Sequence, residues 1–204
     1  MIRTLVLSRG IHRALVVAIL AAGVSAVIGR NVIDVDLSPV HPNRLPVAEL
    51  CAIVAATLMA ILTRPRFWEW DRTSRGRRAH VLAGVVAALE IMLPALCVLV
   101  VVPGLPERTP WVWVLANALT MAALVQALAP LTGPLWAGLL GLLSWLGFGL
   151  IHNLEPGLRH VVPTAAYPEA DAHWGATVAI IAIALLVHVR TCGATALSRR
   201  RSAD

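Results

Sequence analysis

The chain has 204 residues, 58% of them hydrophobic and 14% charged, with a mean hydropathy of +0.78. A soluble domain is excluded, because most of such a chain must face lipid or other buried helices. The formal charge is +6 and the pI about 10.9, yet the arginines cap apolar runs instead of lining one soluble face, which argues against a nucleic-acid partner.

Six segments reach the roughly twenty apolar residues that a bilayer-spanning helix needs: 11–29, 46–63, 80–102, 111–128, 133–151 and 173–190. The first follows Arg3, Arg9 and Arg13 and ends in small residues near Ser25 and Ala26, imitating a signal peptide. Because further apolar segments follow, a retained signal-anchor helix is expected. Ala14, Ala18, Ala22 and Ala26 recur every four residues in it, and Ala48, Ala52, Ala56 and Ala60 do the same in the second segment. Small residues at this spacing let helix backbones approach closely. Glu49 falls one turn inside the outer end of the second segment, where a carboxylate is expected to snorkel to water.

Between the second and third segments, RPRFWEWDRTSRGRR holds six of the 17 basic residues: Arg64, Arg66, Arg72, Arg75, Arg77 and Arg78. Basic loops stay in the cytoplasm. This explains the arginines but not the cluster Trp68, Glu69, Trp70 and Asp71, which combines aromatic anchors with salt-bridging groups of the kind that dominate interfaces.

Glu90 is the most costly residue of the third segment, because a charged acid near the bilayer midplane costs a few kcal/mol. It is read as a cavity or gating acid, with Asn117 and Thr120 of the fourth segment and Ser144 of the fifth as polar neighbours of similar depth. The alternative is one structural interhelical hydrogen bond. Pro94, a turn later, is expected to loosen the local hydrogen-bond ladder.

The 103–110 and 129–133 connections read as tight proline- and glycine-rich turns. Gly138, Gly141, Ser144 and Gly147 give the fifth segment a smooth stripe. The longest outer connection, HNLEPGLRHVVPTAAYPEADA at 152–172, is expected to form short re-entrant or interfacial structure.

Charge then orients the chain. Thirteen arginines lie in the amino terminus, the 64–79 loop and the carboxyl tail, against four (Arg30, Arg44, Arg108 and Arg159) in the other loops. The expectation is an all-α integral membrane protein with six transmembrane helices, N-in and C-in, forming one domain. Basic residues that are all arginine, amid abundant alanine, valine and leucine, point to a GC-rich bacterial genome and so to a bacterial plasma membrane. No HExxH, GxSxG or GxxxxGK[ST] is present, so no catalytic site of its own and no ATP hydrolysis is expected. The seven histidines and three cysteines form no recognisable ligand pattern, and neither a metal nor another cofactor is expected.

Six spans, both termini inside, a polar segment after the second span and a long outer segment before the sixth: this layout resembles the membrane (permease) subunit of type-2 ABC exporters. FWEWDRTSRGRR is similar to loops of small actinobacterial permeases of that kind. The resemblance implies a cytoplasmic coupling-type helix at about 65–79, with Trp68, Glu69, Trp70, Asp71, Arg72 and Arg75 docking on a separate ATP-binding cassette subunit. It implies a pair of short re-entrant helices at 152–172. It also implies a second permease chain, the same or a sister, and an amphipathic small molecule, peptide or lipid as cargo. The competing readings are a membrane anchor or immunity protein without a transport cycle, and a haem-binding redox subunit.

Overall fold

The computed structural model describes residues 10–35, 43–65, 77–104, 111–165 and 172–195. In chain order these form α1 (Ile11–Ile28), β1 (Val32–Val35), β2 (Asn43–Pro46), α2 (Val47–Leu62), α3 (Arg77–Met92), α4 (Leu96–Leu99), α5 (Trp111–Thr132), α6 (Pro134–Leu154) and α7 (Trp174–Thr191). Single 3₁₀ turns lie at Leu93–Ala95, Val102–Gly104 and Pro156–Leu158. Five helical stretches are long and apolar enough to cross a membrane: Ile11–Ile28, Ala79–Gly104, Trp111–Thr132, Pro134–Leu154 and Trp174–Thr191.

Segment 46–63 departs from expectation. Its helix α2 has 16 residues, about 24 Å of length against roughly 30 Å of hydrocarbon. That shortfall shapes the rest of the molecule. Pro94, by contrast, does not break its helix. It tightens one turn to 3₁₀, after which α4 continues the same apolar run. The predicted turn at 129–133 shrinks to one residue: α5 continues to Thr132 through Pro130, and Gly133 alone reverses the chain at φ 92°. Only glycine adopts that φ without strain, and Pro134 then opens α6 at the position where its missing N–H costs nothing.

The described residues are mostly helical, in keeping with the all-α expectation, with one short pair of strands beside the helices. The 30–45 connection contains an antiparallel hairpin in which Val32 pairs with Pro46 and Asp34 with Arg44. The β-branched run Val32–Ile33 favours extended backbone. Arg44 Nε and Asp34 Oδ1 lie 3.2 Å apart across the pair, half in solvent.

With α3 and α4 taken as one continuous run, consecutive helices alternate in direction. Val47 N–H donates to Asn31 O at 3.1 Å, joining the end of α1 to the start of α2. Ser25 Oγ donates to Cys97 O at 2.6 Å, tying the end of α1 to α4. His80 Nδ1 lies 2.7 Å from Val189 O, which places the start of α3 beside the end of α7. Helix α5 is central and packs on α2, α3, α6 and α7. Two thirds of its span is buried, against 22% of α1 and 17% of α7, whose outward faces carry Ile19, Leu20, Val27 and Val178.

The small-residue stripes pack as expected in part. Ala14, Ala18 and Ala22 of α1 and Ala48, Ala52, Ala56 and Ala60 of α2 are buried. Ser25, not Ala26, completes the first stripe. Twelve residues overshoot three turns by about 120°, whereas eleven overshoot by about 20°.

On α6 only the first half of the stripe meets a neighbour. A methyl group added at Gly138 would run into Thr57, whose rotamer is held by its 2.8 Å bond to Ile53 O, and one at Gly141 would lie 2.6 Å from Val125. At Gly147 the space is open. Gly138→Ala should therefore lower stability by about 1–3 kcal/mol. Gly147→Ala should be neutral or gain up to about 1 kcal/mol. Thermal unfolding of the two variants in the same detergent checks the contrast, and equal melting points would refute the packing assigned to α6.

Candidate functional site

Two polar sites lie at opposite ends of α2, fourteen residues apart, or about 21 Å along the helix axis. At the hairpin end sits Glu49. The expected snorkelling does not occur: the residue is 2% exposed, and both carboxylate oxygens are hydrogen bonded. Asn117 Nδ2 donates to Oε1 at 2.9 Å, and Trp145 Nε1 donates to Oε2 at 2.7 Å. Water is excluded because residues 156–165 fold back over the bundle. Asn117 holds that segment with both ends of its amide. Its Nδ2 donates to Ala165 O at 2.9 Å, and its Oδ1 accepts from Ala165 N–H at 2.8 Å. His152 Nε2 lies 2.8 Å from Thr164 O, and His173 Nδ1 lies 2.8 Å from Val162 O. Arg44, Trp113 and Gly149 complete the walls of a pocket with room for about one water.

Glu90 sits at the other end. Its carboxylate is linked to the Thr63 hydroxyl, just past the last turn of α2. Glu90 stays deep on α3 because His80, ten residues back and about 15 Å along the axis, lies beside the end of α7. Helix α2 stops short of that level, which leaves a recess beneath it. The recess is a cleft lined by Thr63, Arg64, Pro65, Glu90, Gln126 and His188 among others, with room for about one or two waters. Gln126, fully buried, donates its Nε2 to Ala56 O at 3.1 Å. His188 Nε2 lies 2.9 Å from Gln126 O.

Three of the neighbours predicted for Glu90 belong elsewhere. Asn117 serves Glu49. Thr120 Oγ1 pairs with Thr177 Oγ1 at 2.8 Å. Ser144 is half-buried on α6, away from the cleft-lining residues. The residues that do surround Glu90, namely Thr63, Gln126 and His188, were not singled out together by sequence. Polar residues inside apolar segments are the signal that marks them. Between the sites Ile53, Ala56, Met121, Ala122 and Val125 are buried and pack together, so the two pockets are separate.

Trp68, Glu69, Trp70, Asp71, Arg72 and Arg75 lie outside the described residues. Among the described residues no three His, Cys, Asp or Glu side chains come together as a metal site. All three cysteines are buried thiols.

No protein-family model matches the chain, and no curated protein or solved structure matches it either.

Proposed function

We propose that the protein is the permease subunit of an ABC exporter, with six spans, both termini in the cytoplasm, and a separate ATPase docking on residues 65–79. One observation carries this reading. Arg64 and Pro65, the last described residues before the tryptophan–acid cluster in the sequence, are wall residues of the Glu90 cleft. Force applied by a partner to Trp68, Trp70 and Asp71 would thus act, within a few residues, on the wall of a buried polar site. The short α2, ending above that level, is the element such a force would move.

Among the described residues, neither of these two pockets takes more than water-sized groups. An amphipathic cargo would therefore cross at the interface between two permease chains rather than through one bundle, in keeping with a dimer. The segment 156–165, held over the Glu49 end by Asn117, would occupy the place of the family's outer re-entrant structure.

Copurification tests the reading directly. The wild-type chain, expressed in its native host, should bring down a protein carrying GxxxxGK[ST] in stoichiometric amount. Changing Trp68, Trp70 and Asp71 together to alanine should remove most of it, since aromatic anchors of this kind contribute about 2 kcal/mol or more each. No ATPase with the wild type, or an undiminished complex with the variant, would refute coupling through this segment.

A further inference from the structure

We propose that the Glu90 cleft binds a dehydrated monovalent cation, entering from the end of the bundle marked by Arg64 and Pro65. The proposal rests on the permease reading only in naming that end cytoplasmic.

The leading observation is Gln126. Its Nε2 donates to Ala56 O, which fixes which end of the amide is the oxygen, and that oxygen is buried with no partner among the described residues. An acceptor buried without a donor costs about 1–3 kcal/mol, so it calls for a positive or hydrogen-donating occupant. Gln126 shares the cleft with the Glu90 carboxylate and the Thr63 hydroxyl. The amide oxygen is what it has left to offer there.

Helix direction adds to this. Helices α2, α5 and α7 all finish at this end, and Ala60, Ala129 and His188 of their last turns line the cleft. Each helix C-terminus carries about half a negative charge, although Ala129 O and His188 O already accept from the N–H groups of Gly133 and Gly193. Helix C-terminal ends of this kind coordinate sodium ions in membrane transporters. Helices α3 and α6 begin at this end with the opposite dipole, α3 thirteen residues before Glu90 and α6 with Pro134, which has no N–H of its own.

The size and donor set choose the class of ion. The space holds about one or two waters, so a hydrated ion is too large. Glu90 supplies one negative charge, for which Arg64 in the same cleft competes, and Thr63 and Gln126 supply neutral oxygens, a set suited to a singly charged ion. The clustered carboxylates that hold divalent ions are absent among the described residues. The cleft is also lined by Arg64, a positive charge on the segment after α2, and by the imidazole of His188 on α7. Arg64, at the mouth, is the natural competitor for Glu90.

The purified full chain in detergent, melted while sodium chloride replaces N-methylglucamine chloride at constant ionic strength and pH, tests this. The wild type should show a saturable rise in melting temperature with sodium. Gln126→Leu and Glu90→Gln should each raise the half-saturating concentration about tenfold or more, as expected for loss of a hydrogen-bonding or charged ligand. Arg64→Gln should lower it. A wild-type melting curve indifferent to the cation overturns the proposal, as does an unchanged sodium response in Gln126→Leu. If that variant does not fold, the near-isosteric Glu90→Gln carries the same decision. The experiment needs neither ATPase nor cargo. A failed copurification leaves it standing, and a flat cation response leaves the permease reading standing.

Discussion

Glu49→Ala should destabilise the folded chain by about 2–4 kcal/mol, among the largest effects of any single polar substitution in the bundle. The change strips the acceptor from two buried donors, Asn117 Nδ2 and Trp145 Nε1, and leaves a void where a 2%-exposed side chain stood. An orphaned buried donor costs about 1–3 kcal/mol. Interhelical hydrogen bonds in membranes average nearer 0.6 kcal/mol, because the unfolded chain in lipid also finds partners, so two of them set a floor of about 1. The void adds to that floor. Glu49→Gln preserves volume and one acceptor oxygen but turns an N–H towards one of the two donors, so a smaller loss of about 1–2 kcal/mol is expected. Thermal unfolding of the three proteins in one detergent checks the order. A snorkelling carboxylate would give changes within about 0.5 kcal/mol for both variants, and that result would remove the buried site from the account.

The contrast between Glu49 and Glu90 explains which features were legible in the sequence. Apolar run length located all six helices to within a few residues, since hydrophobic thickness and helix rise leave little freedom. The same counting misplaced the partners. It assumed helices of equal length, aligned at their ends, and so set Glu90 level with Asn117 and Ser144. Helix α2, at 16 residues, is shorter than the five membrane-length stretches, and Glu90 instead meets Thr63 at its end. For Glu49, position one turn from a helix end implied access to water. That inference failed because residues 156–165 fold back over the end, held by bonds between Asn117 and Ala165, 48 residues apart along the chain. Local pattern carries no signal for such closure. The hairpin was missed for a related reason: its strands are four residues long, with no two-residue glycine turn to announce them. The buried alanine faces of α1 and α2, by contrast, follow from spacing alone, with the 3.6-residue repeat shifting the last position from Ala26 to Ser25.

Asn117→Ala should open the outer segment without unfolding the bundle. The wild-type amide makes three hydrogen bonds, two of them to the backbone of Ala165. Losing the pair to Ala165 removes about 1–3 kcal/mol of hold on residues 156–165. The bonds from His152 to Thr164 O and from His173 to Val162 O remain, so the segment should open locally rather than detach. Thr164 is buried in the closed arrangement, and a cysteine placed there reports opening. With a membrane-impermeant maleimide, Thr164→Cys should label slowly on its own and about tenfold faster or more when combined with Asn117→Ala, the factor that about 1.4 kcal/mol implies. Asn117→Asp should be no milder. It keeps the acceptor for Ala165 N–H but loses both donated bonds, and it sets a second carboxylate against Glu49. Equal labelling rates in all three backgrounds would show that Asn117 does not hold the segment. The enclosure of Glu49 would then have to rest on the histidine contacts alone. Faster labelling at Thr164 with an unchanged melting temperature would instead mark residues 156–165 as a separately opening unit, held to the bundle through the residue that also serves the buried carboxylate.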